Sequence, residues 1–326
     1  MKVAVVGSGP ASLSFAGDMA KRGYEVHVFE ALHEIGGVLK YGIPEFRLPN
    51  EVVDVEIRAL EQMGVRFQTD CVVGKTLSYD DIMNEGFDGM FVASGAGLPR
   101  FMGIPGENLV GVMSSNEYLT RVNLMGAGRP GWATPVIRGR RVAVIGGGNT
   151  AMDSCRTARR MGAEEVFIVY RRSEAEMPAR VEEVRHAKEE GVTFLTLHNP
   201  VEYLGDENGR VRAMRLQQME LGEPDASGRR SPVAVEGAIV EVEVDEVIVS
   251  VGVSPNPLIP NSVEGLEVTR RGTLAVNDET LQTTLPLVFA GGDIVRGGAT
   301  VILAMGDGRK AAASMDEAIK ARRSNG

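Results

Sequence analysis

A strand–glycine turn–helix–strand pattern occurs twice in this chain of 326 residues, and it restricts the fold more than any other feature. Residues 3–12 read VAVVGSGPAS and residues 142–151 read VAVIGGGNTA. In each copy an apolar, β-branched run leads into glycines, then into a segment of helical periodicity and a second apolar strand. This is the βαβ unit that binds dinucleotides. The sequence therefore predicts an α/β protein with two Rossmann-like dinucleotide-binding domains.

The glycines of the two copies are expected to have separate roles. Gly7 and Gly146 permit the tight turn that leaves the first strand. Gly9 and Gly148 let the backbone approach a pyrophosphate, which then lies at the positive end of the following helix. A single match of this kind is weak, but two copies with correctly spaced second strands indicate nucleotide binding.

The second strands of the two copies end in different residues. The first ends in Glu30, and a carboxylate at this place accepts hydrogen bonds from the ribose hydroxyls of FAD or NAD. In the second copy Tyr170 takes this place, followed by Arg171 and Arg172. Paired guanidiniums favour the 2′-phosphate of NADP. An ordinary solvated arginine pair remains the alternative explanation.

Further glycine-containing segments favour a flavin in the first domain. Gly36 and Gly37 close an E-x5-GG pattern that begins at Glu30, and they let the chain pass close under a pyrophosphate. Residues 287–293 read LVFAGGD, so that Asp293 stands at a strand end where it can bond a ribityl hydroxyl. The helix that begins near residues 299–301 would direct its N-terminal dipole at the flavin.

Composition excludes several other functions. With 35 basic and 44 acidic residues the net charge is −9, which leaves little basic surface for nucleic acid. No apolar run is long enough for a membrane span, and the N-terminus lacks a signal-peptide layout, so we expect a cytoplasmic protein. Cys71 and Cys155 form no CxxC, so neither a redox disulfide nor a cysteine-held iron–sulfur cluster is supported. Because hydride transfer needs stacked rings rather than an acid–base pair, no catalytic residue and no metal ligand is predicted.

The motifs together resemble a known class of flavoprotein. GSGPAS, E-x5-GG, VASGAGLPR, GGGNTA, VSVGVSPNP and VFAGGD are similar to those of glutathione-reductase-like proteins with two dinucleotide-binding domains. Residues 41–49 (YGIPEFRLP), 170–179 (YRR…MPA) and 298–309 (GATVILAMGDGR) resemble a narrower group. It contains the small (beta) subunit of glutamate synthase, the large subunit of NADH-dependent ferredoxin:NADP oxidoreductase and the flavin/NADPH part of dihydropyrimidine dehydrogenase. The resemblance covers essentially the whole chain.

The resemblance implies FAD and NADPH as cofactors and a set of contacts for each. The candidate FAD-binding residues are Gly7, Ser8, Gly9, Pro10, Ala11, Ser12, Glu30, Ala31, Gly36, Gly37, Val38, Arg47, Val73 (through its backbone), Ser94, Gly95, Gly292, Asp293, Ala299, Thr300 and Val301. The candidate NADPH-binding residues are Gly146, Gly147, Gly148, Asn149, Thr150, Arg171, Arg172, Arg180, Ser250 and Gly252.

The predicted FAD domain is discontinuous, residues 1–130 and 262–326, with the NADP domain inserted at residues 131–261. Residues 222–231 are predicted as an exposed loop, and residues 240–251 as a strand that enters a buried sheet.

The predicted function is an FAD-dependent NADPH oxidoreductase that takes a hydride from NADPH and passes electrons to a partner, as in the small subunit of glutamate synthase. Members of that group usually carry an N-terminal iron–sulfur domain. This chain begins at the flavin strand, so the expected partner is a separate iron–sulfur protein or glutamate synthase large subunit, unless such a domain was trimmed. Two alternatives stay open: a subunit of a ferredoxin:NADP or sulfide-linked oxidoreductase, and a flavin-bound docking subunit with little activity alone.

Overall fold

A computed structural model describes residues 1–324. It contains fifteen strands and ten α-helices in that part of the chain, with a π-helical turn at Thr120–Leu124 and a 3-10 turn at Glu174–Glu176. The strands are β1 (Lys2–Val6), β2 (Glu25–Phe29), β3 (Arg66–Gln68), β4 (Gly89–Val92), β5 (Leu98–Pro99), β6 (Val112–Ser114), β7 (Arg141–Ile145), β8 (Glu165–Tyr170), β9 (Thr193–Thr196), β10 (His198–Gly205), β11 (Val211–Pro224), β12 (Arg230–Glu243), β13 (Glu246–Val249), β14 (Val253–Ser254) and β15 (Val288–Ala290). The helices are α1 (Pro10–Lys21), α2 (Val38–Tyr41), α3 (Asn50–Gln62), α4 (Tyr79–Asn84), α5 (Ser115–Leu119), α6 (Asn149–Arg160), α7 (Val181–Glu189), α8 (Leu258–Ser262), α9 (Asp293–Arg296) and α10 (Val301–Ser324).

The chain divides into two compact units. The first contains Met1–Tyr41, Glu45–Leu98 and the chain from Val253 onward, and the second contains Gly42–Pro44 and Pro99–Gly252. One unit is therefore inserted into the sequence of the other.

The first unit is built on a parallel sheet in the order β15-β4-β1-β2-β3. Its central strand β1 is apolar and buried, as expected of a parallel strand that is covered on both faces. Phe15 of α1 stacks on Phe91 of β4, with 4.4 Å between ring centroids. Gly308 lets α10 lie close to α1, because a Cβ there would be 2.2 Å from the carbonyl oxygen of Ala11.

The second unit repeats this arrangement and adds to it. Its parallel sheet has the order β6-β13-β7-β8-β9, and β7–α6–β8 repeats β1–α1–β2. An antiparallel sheet in the order β10-β11-β12 follows in the same unit. Two similar turns join its strands, one at residues 206–209 and one at residues 225–229.

The compact units begin and end elsewhere than the predicted boundaries at residues 130 and 261. β6 is only three residues long but pairs with β13, so residues 99–130 belong to the second unit. After Gly252 the chain returns to the first unit, where Ile259 and Val263 enter the apolar core beside β4 and β15.

Two local predictions were wrong. β11 continues to Pro224 and β12 starts at Arg230, so half of the predicted loop 222–231 is strand and only residues 225–229 form a turn. Residues 240–243 end β12 in the antiparallel sheet, and only Glu246–Val249 form the predicted buried strand. The polar, glycine-containing sequence hid this hairpin, because cross-strand pairing stabilises its strands and the propensities of the single residues do not show that pairing.

Candidate functional site

The first glycine loop leaves the N-terminus of α1 open. Gly7 has φ +95°, and a Cβ there would lie 2.6 Å from the carbonyl oxygen of Ala93. Gly9 is the N-cap residue of α1, no side chain caps this helix end, and the space beside Gly9 holds no protein atom of residues 1–324 within 4 Å of a Cβ. Such an end binds an anionic group through its amides and its dipole.

The E-x5-GG segment folds against this loop. Gly37 has φ +54°, and a Cβ on it would lie 2.9 Å from the Cα of Gly9. The amide of Gly36 donates to Ser8 Oγ at 3.0 Å. The two glycine segments therefore form one cradle. Ala31 and Val38 flank this segment, at the end of β2 and the start of α2.

Glu30 is held rigidly at the end of β2. It is 6% exposed; Ser8 Oγ donates to its Oε2 at 2.5 Å, and the amide of Leu32 donates to Oε1 at 2.8 Å. Carboxylate oxygens accept more than one hydrogen bond each, so further acceptor capacity remains. This geometry fits the predicted role toward ribose hydroxyls.

Asp293 follows β15 at the same end of the sheet. Its Oδ1 accepts from the amide of Ala299 at 3.0 Å, which fixes the turn ahead of α10. Burial raises the pKa of Asp293, and the negative charge of Asp307 raises it further. The hydrogen bond from the Ala299 amide lowers it. Thr300 is exposed just before α10, which begins at Val301.

Asp307 is a site residue that the sequence did not reveal. It is 2% exposed, accepts from the Arg296 guanidinium at 2.6 and 2.7 Å, and accepts from the amide of Gly292 at 3.0 Å. These bonds fix the turn that carries Asp293.

Tyr41 was also missed, although it opens the YGIPEFRLP motif. Burial and the charges of Asp293 and Glu30 raise the pKa of Tyr41 to about 12. The hydroxyl is therefore neutral near pH 7, and it shares its surroundings with both predicted carboxylates.

The remaining candidates of the first unit occupy different positions. Ser94 and Gly95 follow β4, and the Ser94 Cα would be 3.1 Å from a Cβ at Gly7, so they belong to the cradle. Arg47 is half-buried before α3. Val73 is buried in the core, which leaves its backbone as the group that a ligand can reach. Among the cradle candidates, Pro10, Ala11 and Ser12 form the first turn of α1.

The second glycine loop reproduces the first. Gly146 has φ +141°, and a Cβ there would lie 2.2 Å from the carbonyl oxygen of Ser250, the residue that follows β13. Gly148 is the N-cap residue of α6, with no side-chain cap and open space beside it. Gly147 packs closely against the ring of Tyr170, since a Cβ placed on Gly147 would lie 2.8 Å from ring carbons of Tyr170.

The MPA segment is tied to this loop. The amide of Arg180 donates to Asn149 Oδ1 at 2.9 Å, and the amide of Ala179 donates to the Gly147 carbonyl at 3.1 Å. Thr150, Arg171 and Arg180 are exposed around it. Gly252 lies at the end of this unit, where its carbonyl accepts from the amide of Arg100 at 3.0 Å.

Arg171 and Arg172 lie in different environments. Arg171 is exposed and has no hydrogen-bond or ion-pair partner within residues 1–324. Arg172 is only 6% exposed, and its guanidinium donates to Asp225 Oδ2 at 2.6 Å and to the Arg230 carbonyl at 2.8 Å. The sequence treats Arg171 and Arg172 as one pair, whereas in the structure a partner 53 residues away in sequence engages Arg172.

The site contains no redox disulfide, since Cys71 and Cys155 are both free and buried. Burial raises the pKa of the Cys155 thiol well above its usual range. Across residues 1–324 no group of three or more His, Cys, Asp or Glu side chains is placed to hold a metal ion. No helix in the same part of the chain is long and apolar enough to span a bilayer.

Residues 1–308 match the family model described as "Pyridine nucleotide-disulphide oxidoreductase". The chain belongs to this family. The predicted fold class, two Rossmann-like units, and the predicted class of enzyme, an oxidoreductase, are thereby confirmed.

Two curated proteins are similar to the chain over most of its length. The chain is 42% identical over 322 residues to the NADP(+)-dependent formate dehydrogenase subunit beta of Moorella thermoacetica, covering 98% of this chain and 44% of that protein. It is 41% identical over 316 residues to the putative glutamate synthase [NADPH] small chain of Cereibacter sphaeroides, covering 96% and 76%. The second match confirms the resemblance to glutamate synthase small subunits. The chain spans less than half of the first relative.

A solved structure shows the same fold. FprA from Mycobacterium tuberculosis, in complex with NADPH, superposes with a TM-score of 0.81 at 20% identity, covering 99% of this chain and 86% of that one.

Proposed function

We propose that this oxidoreductase binds FAD in the first unit and NADPH in the second, takes a hydride from NADPH and passes electrons to a partner protein. The single observation that carries the proposal is the cradle that occurs twice with different strand ends. Around Gly9 it is combined with the buried Glu30 carboxylate, and around Gly148 with the exposed Arg171. When bound, NADPH supplies the hydride and FAD accepts it and releases electrons singly or in pairs.

The residues of the first unit fit FAD. The open N-terminus of α1 would bind the pyrophosphate through amides and dipole. Glu30, held by Ser8, would accept from the adenosine ribose, and Asp293 would accept from the ribityl chain. The amides at the start of α10, near Val301, would stabilise negative charge on the reduced flavin ring.

The residues of the second unit fit NADPH in the same way. The open N-terminus of α6 would bind its pyrophosphate, with Gly147 and Gly148 admitting the close approach. Arg171 stands at the strand end that adjoins the ribose position, where its charge favours a 2′-phosphate. Ser250 and Gly252 follow the neighbouring strand and would line the nicotinamide side.

The electron acceptor is part of the proposal. Two relatives carry names that identify them as one chain of a larger enzyme, a formate dehydrogenase subunit beta and a glutamate synthase small chain. We infer that this chain likewise delivers electrons to an iron–sulfur partner protein or to a glutamate synthase large subunit. A cytoplasmic location agrees with two cysteines that remain free thiols.

The test is the visible absorption spectrum of the purified chain, with FAD added where needed, before and after anaerobic NADPH. Flavin bands that bleach with NADPH, and more slowly with NADH, are the expected result. Bands that persist with both nucleotides would leave a flavin-bound docking subunit as the function. A chain that acquires no flavin band from added FAD would contradict the assignment of the first unit.

A further inference from the structure

The two arginines after β8 differ in how they are engaged. Arg171 is exposed and unpartnered within the described part of the chain, whereas Arg172 is buried. Both arginines lie just beyond the end of β8 at Tyr170, and the Arg172 side chain is turned into the protein while that of Arg171 is exposed. The strand end therefore presents one free guanidinium rather than two.

Arg172 connects the strand end to the β11–β12 hairpin. Its Nη2 donates to Asp225 Oδ2 at 2.6 Å and its Nε donates to the Arg230 carbonyl at 2.8 Å, so both strands of the hairpin tip are held. Its own carbonyl accepts from the amide of Leu197 at 3.1 Å, and the Leu197 carbonyl accepts from the amide of Met219 in β11 at 2.8 Å. Side chain and backbone thus connect the same two elements.

This engagement lowers the value of Arg172 as a phosphate ligand. The Asp225 carboxylate neutralises its charge and would repel a phosphate that approached the pair. Two guanidinium nitrogens are already donating. Arg171 retains all its donors, which suits bidentate contact with phosphate oxygens.

We propose that Arg171 binds the 2′-phosphate of NADPH and that Arg172 is a positioning residue. The contacts of Arg172 connect the hairpin tip to the strand end and so hold Arg171 in place. The inference rests on the proposed NADPH site and divides its two arginines into a ligand and a support. It also makes Asp225, 53 residues from Arg172 in sequence, one of the residues that determine the preference for NADPH over NADH.

The test is calorimetric binding of 2′,5′-ADP and of 5′-ADP to the full chain and to R171Q, R172Q and the double variant. R171Q should weaken 2′,5′-ADP roughly 10- to 100-fold and leave 5′-ADP unchanged, because a charged hydrogen-bonded contact is lost. R172Q should weaken 2′,5′-ADP about threefold to tenfold. In the R171Q background this second loss should vanish, because Arg172 acts through Arg171.

Two aspartates provide a matched pair of further variants. Asp206 and Asp225 open similar hairpin turns, and each accepts from an amide two residues later at 2.8 Å, but only Asp225 binds Arg172. D225N should weaken 2′,5′-ADP in the same direction as R172Q, and D206N should leave it unchanged. D225N also keeps the test decisive if R172Q fails to fold.

Each contrary result has its own meaning. If D225N tightened 2′,5′-ADP, or if the losses of R171Q and R172Q multiplied in the double variant, Arg172 would itself bind the phosphate and the division of roles would be wrong. If the unaltered chain bound neither nucleotide, or bound both equally, the NADPH assignment of the second unit would fail instead.

Discussion

The two dinucleotide units share one frame, the strand–glycine turn–helix–strand unit of β1–α1–β2 and β7–α6–β8, and differ where the second strand of that unit ends. Gly7 and Gly146 make equivalent close approaches, to Ala93 and Ser250, and both following helices start without a side-chain cap. Strand register places Phe29 beside Val6 and Val169 beside Ile145, so Glu30 and Tyr170 are equivalent positions. The comparison supports the proposal that the shared frame holds a pyrophosphate in each unit, whereas the residue at the strand end selects the nucleotide.

A second difference lies at the other end of the frame. Gly89 pairs with Val3 in the first unit and Glu246 pairs with Val142 in the second, so a glycine and a carboxyl group occupy equivalent places. Glu246 is 1% exposed; its Oε2 accepts from the amide of Gly139 at 3.0 Å, and its Oε1 has no partner in residues 1–324. Burial raises its pKa to about 7.

Replacing Glu246 should have the largest effect on stability. Because its pKa is higher in the folded than in the unfolded chain, the folded state loses stability as pH rises from about 4.5 toward 7. Glu246→Gln removes this loss. The quantity to compare is the free energy of unfolding of the variant minus that of the unaltered chain. Relative to its value at pH 4, this difference should rise by roughly 1 kcal/mol at pH 5 and by about 3 kcal/mol at pH 8. Urea denaturation of both proteins at the three pH values measures it.

The control for this prediction is Glu243→Gln, which removes an exposed carboxylate near the same strand. It should show no gain that grows with pH. A Glu246→Gln difference that stays constant from pH 4 to pH 8 would show that burial does not raise the pKa of this carboxyl group above its value in the unfolded chain.

The N-cap glycines separate the two units by function. Alanine at Gly9 or Gly148 meets no protein atom within 4 Å and keeps an ordinary φ, so folding should be unaffected. The added methyl would instead meet a bound pyrophosphate, at a cost of about 2.7 kcal/mol or a hundredfold in affinity. We expect G9A to weaken only FAD and G148A only NADPH, measured by flavin fluorescence and by NADPH titration.

Gly306→Ala is the matched control, since its Cβ also meets open space. It lies inside α10, where alanine is favoured over glycine, and should leave both affinities intact. Equal losses of both cofactors in G9A and in G148A would break the assignment of one cofactor to each unit.

Local patterns predicted most of the frame, and contacts between distant residues explain the rest. The glycine loops and Glu30 could be predicted because their roles depend on backbone conformation and on spacing within one βαβ unit. Arg172 could not be separated from Arg171, because its partner Asp225 lies in another hairpin. Asp307 lies in the motif quoted at residues 298–309, but its role could not be predicted from that motif, because only folding brings the Arg296 guanidinium to it.

Local sequence patterns also do not locate the boundary between the two units. Three residues of β6 assign the segment from Pro99 to the second unit, and a strand this short has no periodicity to detect. Tyr41 lies in a motif that was recognised, but its proximity to Glu30 and Asp293 follows from tertiary folding.

The smallest effect is expected at the strand end that distinguishes the units. Glu30→Gln keeps an acceptor for Ser8 or Leu32 but loses the negative charge that strengthens bonds from ribose hydroxyls. FAD affinity should fall about tenfold, close to 1.4 kcal/mol, with NADPH affinity unchanged. Equilibrium recovery of flavin fluorescence measures it, with the exposed Glu61→Gln as control. Unchanged FAD binding would mean that the glycine cradle alone sets the affinity, and that the strand end of the first unit does not select the nucleotide.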